Sequence, residues 1–406
     1  MTNCDIVVCL FVHEKKEEFK RLLESLNANS NFNKYQVVVI NNARDPLKSK
    51  EISKLSRDYL AGRFLEVNRV NWPSLKEEIK EGMERGLAGQ LNGLSLNLGN
   101  EGWAIHHARN IANLIVLKFF PQAKHMISFD SDIMIPADLT LENEAFENLT
   151  CFQIAGSPDF ARIEWLELFL MATYSATSSM DVGEYLKNID SYNYMRKGYA
   201  YRMSNSLELS QLKYILNHYS NLEFSYGIMA DDEPDFNLRE ENHGACSIIS
   251  TNVLHKCMYP EWCENDWVVF KAIRGRGVPP SFLDKFVVHH SIKKDVLNSE
   301  MLIQEEIGKM SNVLLFSQAD LSEKSAQNTI NMRIAAVERL LRAFERLESN
   351  DQIQITKITQ VLETLIDAMK QIDLCNDICR PVSSFCRQRL IWDDIVFHLK
   401  NSICSK

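Results

Sequence analysis

Through its first 150 residues the chain alternates short apolar runs with amphipathic stretches. Residues 5–12 (DIVVCLFV) form a Val-containing run of strand length, followed by Phe19, Leu22, Leu23 and Leu26 at helical spacing. A second run, YQVVVI, stops at Asn41 and Asn42. Strand, helix and strand in this order predict a parallel pair with a right-handed crossover. Residues 50–61 read as helical, and 62–100 as mixed, with a Gly-punctuated loop and short helix over 82–102. Residues 103–120 have a helical pattern that Pro121 closes. HMISFDSDIMIP then carries an apolar strand straight into Asp130-Ser131-Asp132. Further on, residues 244–254 (GACSIISTNVL) read as a strand and its turn. DKFVVHHSIKK reads as a strand ending in His289, His290, Lys293 and Lys294.

The pattern changes near residue 300. Over 322–348, Ile330, Ile334, Val337, Leu341 and Phe344 repeat with a helical period, as do Ile358, Val361, Leu362, Leu365, Met369 and Ile372 over 355–373. SNDQ at 349–352 predicts a turn between two antiparallel helices. The expected architecture is α/β, a mostly parallel sheet flanked by helices over residues 1–300, with an α-helical appendage over 301–406. That appendage is open to four readings: packing against its neighbour helix, dimerisation, docking of a partner, or contact with a membrane surface, the last disfavoured by the few basic residues of 355–373.

Composition narrows the function classes. The chain has 406 residues, with 45 Lys and Arg against 54 Asp and Glu, a net charge of −9. A deficit of cations disfavours nucleic acid as the main partner. No apolar run reaches the 18 residues of a membrane-spanning helix. The start lacks a basic n-region. The expectation is therefore a cytoplasmic protein, or one exported without a recognisable N-terminal signal. The ten Cys are scattered, with no repeated tight pair that would build a zinc framework, and read as buried free thiols.

Four groups of residues carry candidate chemistry. In Asp130-Ser131-Asp132 a buried strand delivers two carboxylates at its C-terminal end, the edge where open parallel sheets bind ligands. Two hard oxygen ligands suit Mg²⁺ or Mn²⁺ and leave positions for a substrate diphosphate; the plain alternative is a solvated turn. His289 or His290 can complete a carboxylate–imidazole site, with Lys293 and Lys294 close enough to neutralise phosphate. Trp262 and Trp267 bracket Glu264 and Asp266, pairing aromatic faces for a sugar ring with acids for hydroxyl hydrogen bonds or proton abstraction. The same segment also reads as a helix start whose acids complement the dipole. Arg109, on the 103–120 helix, either meets a nucleotide or is an ordinary surface arginine. His106 and His107 beside it read as packing residues.

In this order — the first strand, VVVINNARDP, NEG with ARN, ISFDSD, GACSIIS, WCENDW and VVHHS — the motifs resemble the GT-A nucleotide-sugar glycosyltransferases. The likeness includes family 2 enzymes of the chondroitin-polymerase kind, β-1,4-galactosyltransferases and polypeptide N-acetylgalactosaminyltransferases. It covers roughly residues 5–295. The resemblance implies Mn²⁺ or Mg²⁺ as cofactor and a nucleoside-diphosphate sugar, UDP-sugar favoured, as donor. It implies that Asp130 contacts donor ribose or metal, that Asp132 ligates the metal, and that His290 or His289 is a further ligand. Asn42 and Arg109 would then lie near the base, and Glu264 and Asp266 would form the acidic acceptor motif, with Asp266 or Glu264 as base in an inverting reaction. Gly244 stands where the family has a Gly-Gly on the acceptor side, and Trp262-Cys263 replaces Trp-Gly-Gly. The acceptor, a glycan, a small molecule or a protein, stays open. Two rival functions remain: a binding protein of the same fold that lacks turnover, and a metal-dependent nucleotidyltransferase. The polar, Tyr-rich stretch 174–202 reads as a lid or acceptor-binding insertion.

Overall fold

The structure, a computed structural model, describes residues 5–99, 105–141, 146, 149–156, 246–262, 265–274, 281–289, 299–316, 322–345 and 352–404. Its centre is an eight-stranded mixed sheet. The strands are β1 (Ile6–Val12), β2 (Gln36–Asn41), β3 (Phe64–Asn68), β4 (His125–Asp130), β5 (Ile133–Met134), β6 (Leu149–Gly156), β7 (Cys246–Ser250) and β8 (Ser281–His289). Their order is β3-β2-β1-β4-β7-β6-β8-β5. Four of the seven ladders are parallel (β1/β2, β1/β4, β2/β3 and β6/β8). β7 runs antiparallel between β4 and β6, and β5 antiparallel to β8. The α/β class read from the sequence therefore holds.

β1 is apolar throughout because both of its faces are covered. Val7, Cys9 and Phe11 point to one layer, and Val8, Leu10 and Val12 to the other. The second layer is built by α1 (Lys16–Ala28) and α2 (Pro46–Leu60). In α1 the four residues Phe19, Leu22, Leu23 and Leu26 make the buried stripe that the sequence pattern required. In α2 the Asp45 side chain caps the Leu47 N–H at 2.8 Å and Pro46 occupies the first turn. The first layer holds α3 (Trp72–Lys80), α4 (Arg85–Asn92) and α5 (Ile105–Phe119).

The C-terminal helix Arg380–Cys404 also belongs to that layer. Val382, Phe385, Trp392 and Ile395 share one core with Ile111, Ile115, Val253 and Phe270. The Trp392 indole donates to the Leu254 carbonyl at 3.1 Å, and Lys400 to the Asn252 carbonyl at 2.7 Å. The helices Ser299–Phe316 and Glu323–Glu345 and the helical turn Leu374–Cys379 make a further cluster, with Ile307, Met310, Ile330 and Ile378 inside it. The helical appendage is thus joined to the α/β layer through a shared core. Among the described residues no helix is long and apolar enough to cross a membrane.

Candidate active site

Parallel strands bring the loops after β1, β2 and β4 to one edge of the sheet. Asp130 is the last residue of β4 and sits beside Phe11 in the β1/β4 ladder. Asp132 follows the turn and leads into β5, where Ile133 pairs with His289 of β8. The register therefore carries the end of the His strand to within one residue of Asp132, although the two segments are far apart in sequence.

Arg109 organises the deeper half of this edge. It lies on α5 with its side chain 5% exposed. One guanidinium nitrogen bonds the Asp266 carboxylate, and Nη2 lies 3.4 Å from both oxygens of Asp130. The charged plane sits 5.6 Å from the Phe11 ring centroid and 5.4 Å from that of Tyr259. Tyr259 is held there by α5 itself. Asn110 exchanges two hydrogen bonds with the Tyr259 backbone, at 2.8 and 2.9 Å, and Asn113 donates to the Cys257 carbonyl at 2.8 Å. Burial opposes the charge on Arg109, but Asp266 and Asp130 together outweigh it and hold the guanidinium firmly protonated. Burial lifts the Asp266 carboxyl above its ordinary range, and Arg109 offsets part of that rise. The side chains of Asp130 and Asp266 remain 23% and 27% exposed.

Asp132 is treated differently. Its side chain is 12% exposed and accepts from Lys15 Nζ at 3.2 Å, while Lys15 is 45% exposed. Lys15 follows Glu14, which has φ 56°, a left-handed conformation unusual outside glycine. Glu14 is fixed by bonds from the backbone N–H groups of Arg44 and Asp45, at 3.1 and 3.2 Å, and from Lys48 Nζ at 3.1 Å. These donors, the Lys48 ammonium first, keep the Glu14 carboxyl below its ordinary range.

Asn42 lies at this edge, buried. Its Oδ1 accepts from the Gly99 N–H at 2.9 Å, and its backbone carbonyl meets His13 Nδ1 at 2.9 Å. Gly99 needs to be glycine: φ is +69°, and a Cβ would stand 3.3 Å from the Ala43 carbonyl oxygen and the Arg69 side chain. Trp262 is buried, with its indole N–H on Asn312 Oδ1 at 2.7 Å and its ring edge-on to Phe385 at 5.4 Å. Its faces serve packing between the acidic segment and the C-terminal helices, so an open sugar platform at this position is not what the structure presents. Trp267 lies in the helix Asn265–Arg274, one residue after Asp266. Gly244, Glu264, His290, Lys293, Lys294 and the 174–202 stretch lie outside the described residues.

His106 and His107 are packing residues, their rings 3.8 Å apart, with His107 Nδ1 on the Asn97 carbonyl at 2.8 Å. Among the described cysteines Cys9, Cys246, Cys257 and Cys379 are buried as expected, whereas Cys375 and Cys386 are exposed. Sequence reading missed Lys15, Glu14 and His13. A signal for them existed, because a loop that follows the first strand of a parallel sheet must open on the same edge as the Asp130 loop.

Among the described residues no three His, Cys, Asp or Glu side chains cluster as a metal cage. The carboxylates of Asp130 and Asp132 are oxygen ligands of the kind a hard divalent cation takes, and the β5/β8 register brings the backbone of His289 beside Ile133.

No protein-family model matches the chain, and no curated protein is similar to it in sequence. Among solved structures it is similar to the mannosyltransferase PcManGT from Pyrobaculum calidifontis in complex with GDP-Man and Mn²⁺. That likeness has a TM-score of 0.46 and 12% identity, over 90% of this chain and 86% of that one. It is also similar to S. aureus TarS 1–349, with a TM-score of 0.38 and 12% identity over 90% of both chains.

Proposed function

We propose that the chain is a glycosyltransferase that moves a sugar from a nucleoside-diphosphate sugar, UDP-sugar favoured, to a hydroxyl acceptor. The observation that carries the reading is the meeting, at one sheet edge, of Asp130, Asp132, Asp266 and Arg109 from three separate elements. Asp132, with Asp130 and His289 or His290, would hold Mn²⁺ or Mg²⁺, which when bound supplies Lewis-acid neutralisation of the leaving diphosphate. Arg109 bonds both Asp130 and Asp266 before substrate arrives, which is preorganisation of the cleft. Asn42 and Gly99 set the shape of the wall on the β2 side. Lys293 and Lys294 are positioned in sequence to meet phosphate charge. Asp266, or Glu264 two residues earlier, orients the acceptor hydroxyl and in an inverting reaction takes its proton. A carboxyl that burial raises is a better proton acceptor than an ordinary one.

The test is turnover with a panel of nucleotide sugars, read as release of nucleoside diphosphate. Asp132→Ala should lose metal-dependent turnover, and EDTA should remove it from the native protein. Undiminished activity in both arms removes the proposal. Release of pyrophosphate instead would redirect it to nucleotidyl transfer.

A further inference from the structure

The proposed chemistry gives Lys15 no task, yet the fold directs it at Asp132. Glu14 adopts a left-handed turn immediately before it, and three hydrogen bonds from residues 44, 45 and 48 keep that turn in place. The ammonium is thereby aimed across the β1 and β4 ends. The contact is a single bond of 3.2 Å from a half-exposed lysine to a nearly buried aspartate. Arg109 is the opposite case, buried and bonded to two carboxylates. A lysine ammonium on a flexible stem is a mobile point charge, whereas a buried guanidinium fork is fixed.

We propose that Lys15 is a displaceable counter-cation for Asp132, rested on that carboxylate until cation and donor arrive and then transferred to the donor's diphosphate. The inference rests on the donor-and-cation reading above. Charge makes the transfer favourable. At Asp132 the ammonium meets the charge of one carboxylate, and a diphosphate offers it more than one. A divalent cation entering alone must compete with Lys15 for Asp132. A diphosphate entering with it gives the ammonium a new partner within reach. Cation and nucleotide binding are therefore coupled through Lys15, each raising the affinity for the other. Lys15 is a positioning residue, and its effect is read in binding.

The experiment is calorimetric titration of the full chain with MnCl₂ alone, with UDP or GDP alone, and with each in the presence of the other. Lys15→Met should bind Mn²⁺ alone about three- to tenfold more tightly, the range expected on removing one half-exposed like charge beside the cation. It should bind nucleoside diphosphate more weakly, and the coupling between the two ligands should shrink. Lys15→Arg should keep the coupling. Native protein that binds both probes, together with Lys15→Met of unchanged or weaker Mn²⁺ affinity, overturns the inference and leaves the function standing. Native protein that binds neither probe removes both.

Discussion

The two aspartates of one Asp-Ser-Asp turn live in different electrostatic settings. Asp130 faces a buried arginine shared with Asp266 and flanked by two aromatic rings. Asp132 faces a half-exposed lysine from the neighbouring loop. The first arrangement is costly to disturb, because removing its cation leaves two partly buried carboxylates without compensation. The second is cheap to disturb, since pairs with an exposed partner contribute little. The difference separates the framework of the cleft from its exchangeable part.

Removing the framework cation is the sharpest way to break this contrast. Arg109→Met should lose about 3 kcal/mol of stability in urea unfolding, the low end for a buried pair because both carboxylates keep some solvent contact. A variant as stable as the native chain would erase the distinction between the two aspartates. Asp266→Asn comes next. It keeps an oxygen for Arg109 and the partner on Asp130, so its stability loss should be smaller than that of Arg109→Met. Turnover should nevertheless fall by about 100-fold or more if Asp266 is the base. Equal kcat in the variant would leave Asp266 a structural role only.

Glu14→Gln should have the smallest effect, and a pH signature. The folded-state carboxyl is depressed, chiefly by Lys48. Its contribution is therefore fully present at neutral pH and is lost as pH falls through the ordinary glutamate range towards the folded value. Acid unfolding of Glu14→Gln should lack that part of the native curve, while the two proteins converge once Glu14 is protonated. Parallel curves at all pH values would show that the Glu14 bonds do not hold the Lys15 loop.

Much of this was legible in the sequence where a periodic pattern coincided with full burial. β1, β2, β4 and α1 are of this kind, and the 3.6-residue repeat over 322–348 and 355–373 announced the helices Glu323–Glu345 and Gln352–Lys370. β3 was hidden because four of its five residues, FLEVN, are only partly buried and Glu66 interrupts the run, where it accepts from Asn41 and Asn68. The C-terminal helix falls within the 301–406 segment read as an α-helical appendage, but its place in the α/β core was not legible, since Trp392 and Leu254 meet only in the folded chain. Asp130, Asp266 and Arg109 were each singled out by residue type. That one arginine joins them depends on α5 crossing the sheet edge, a tertiary fact that spacing along the chain does not encode. Trp262 shows the reverse limit: an aromatic beside acids has the same appearance in sequence whether its face is open or packed against Phe385.

The central claim is that a divalent cation is gripped where β4 ends, beside the end of the His289 strand. Manganese anomalous diffraction from crystals grown with Mn²⁺ and UDP or GDP tests it most directly. The account predicts a peak against the Asp132 carboxylate at about 2.0–2.3 Å, a typical distance for such cations with oxygen ligands, with Lys15 withdrawn towards the phosphates. Bound nucleotide with no manganese at Asp132, and Lys15 still resting on that carboxylate, would contradict it.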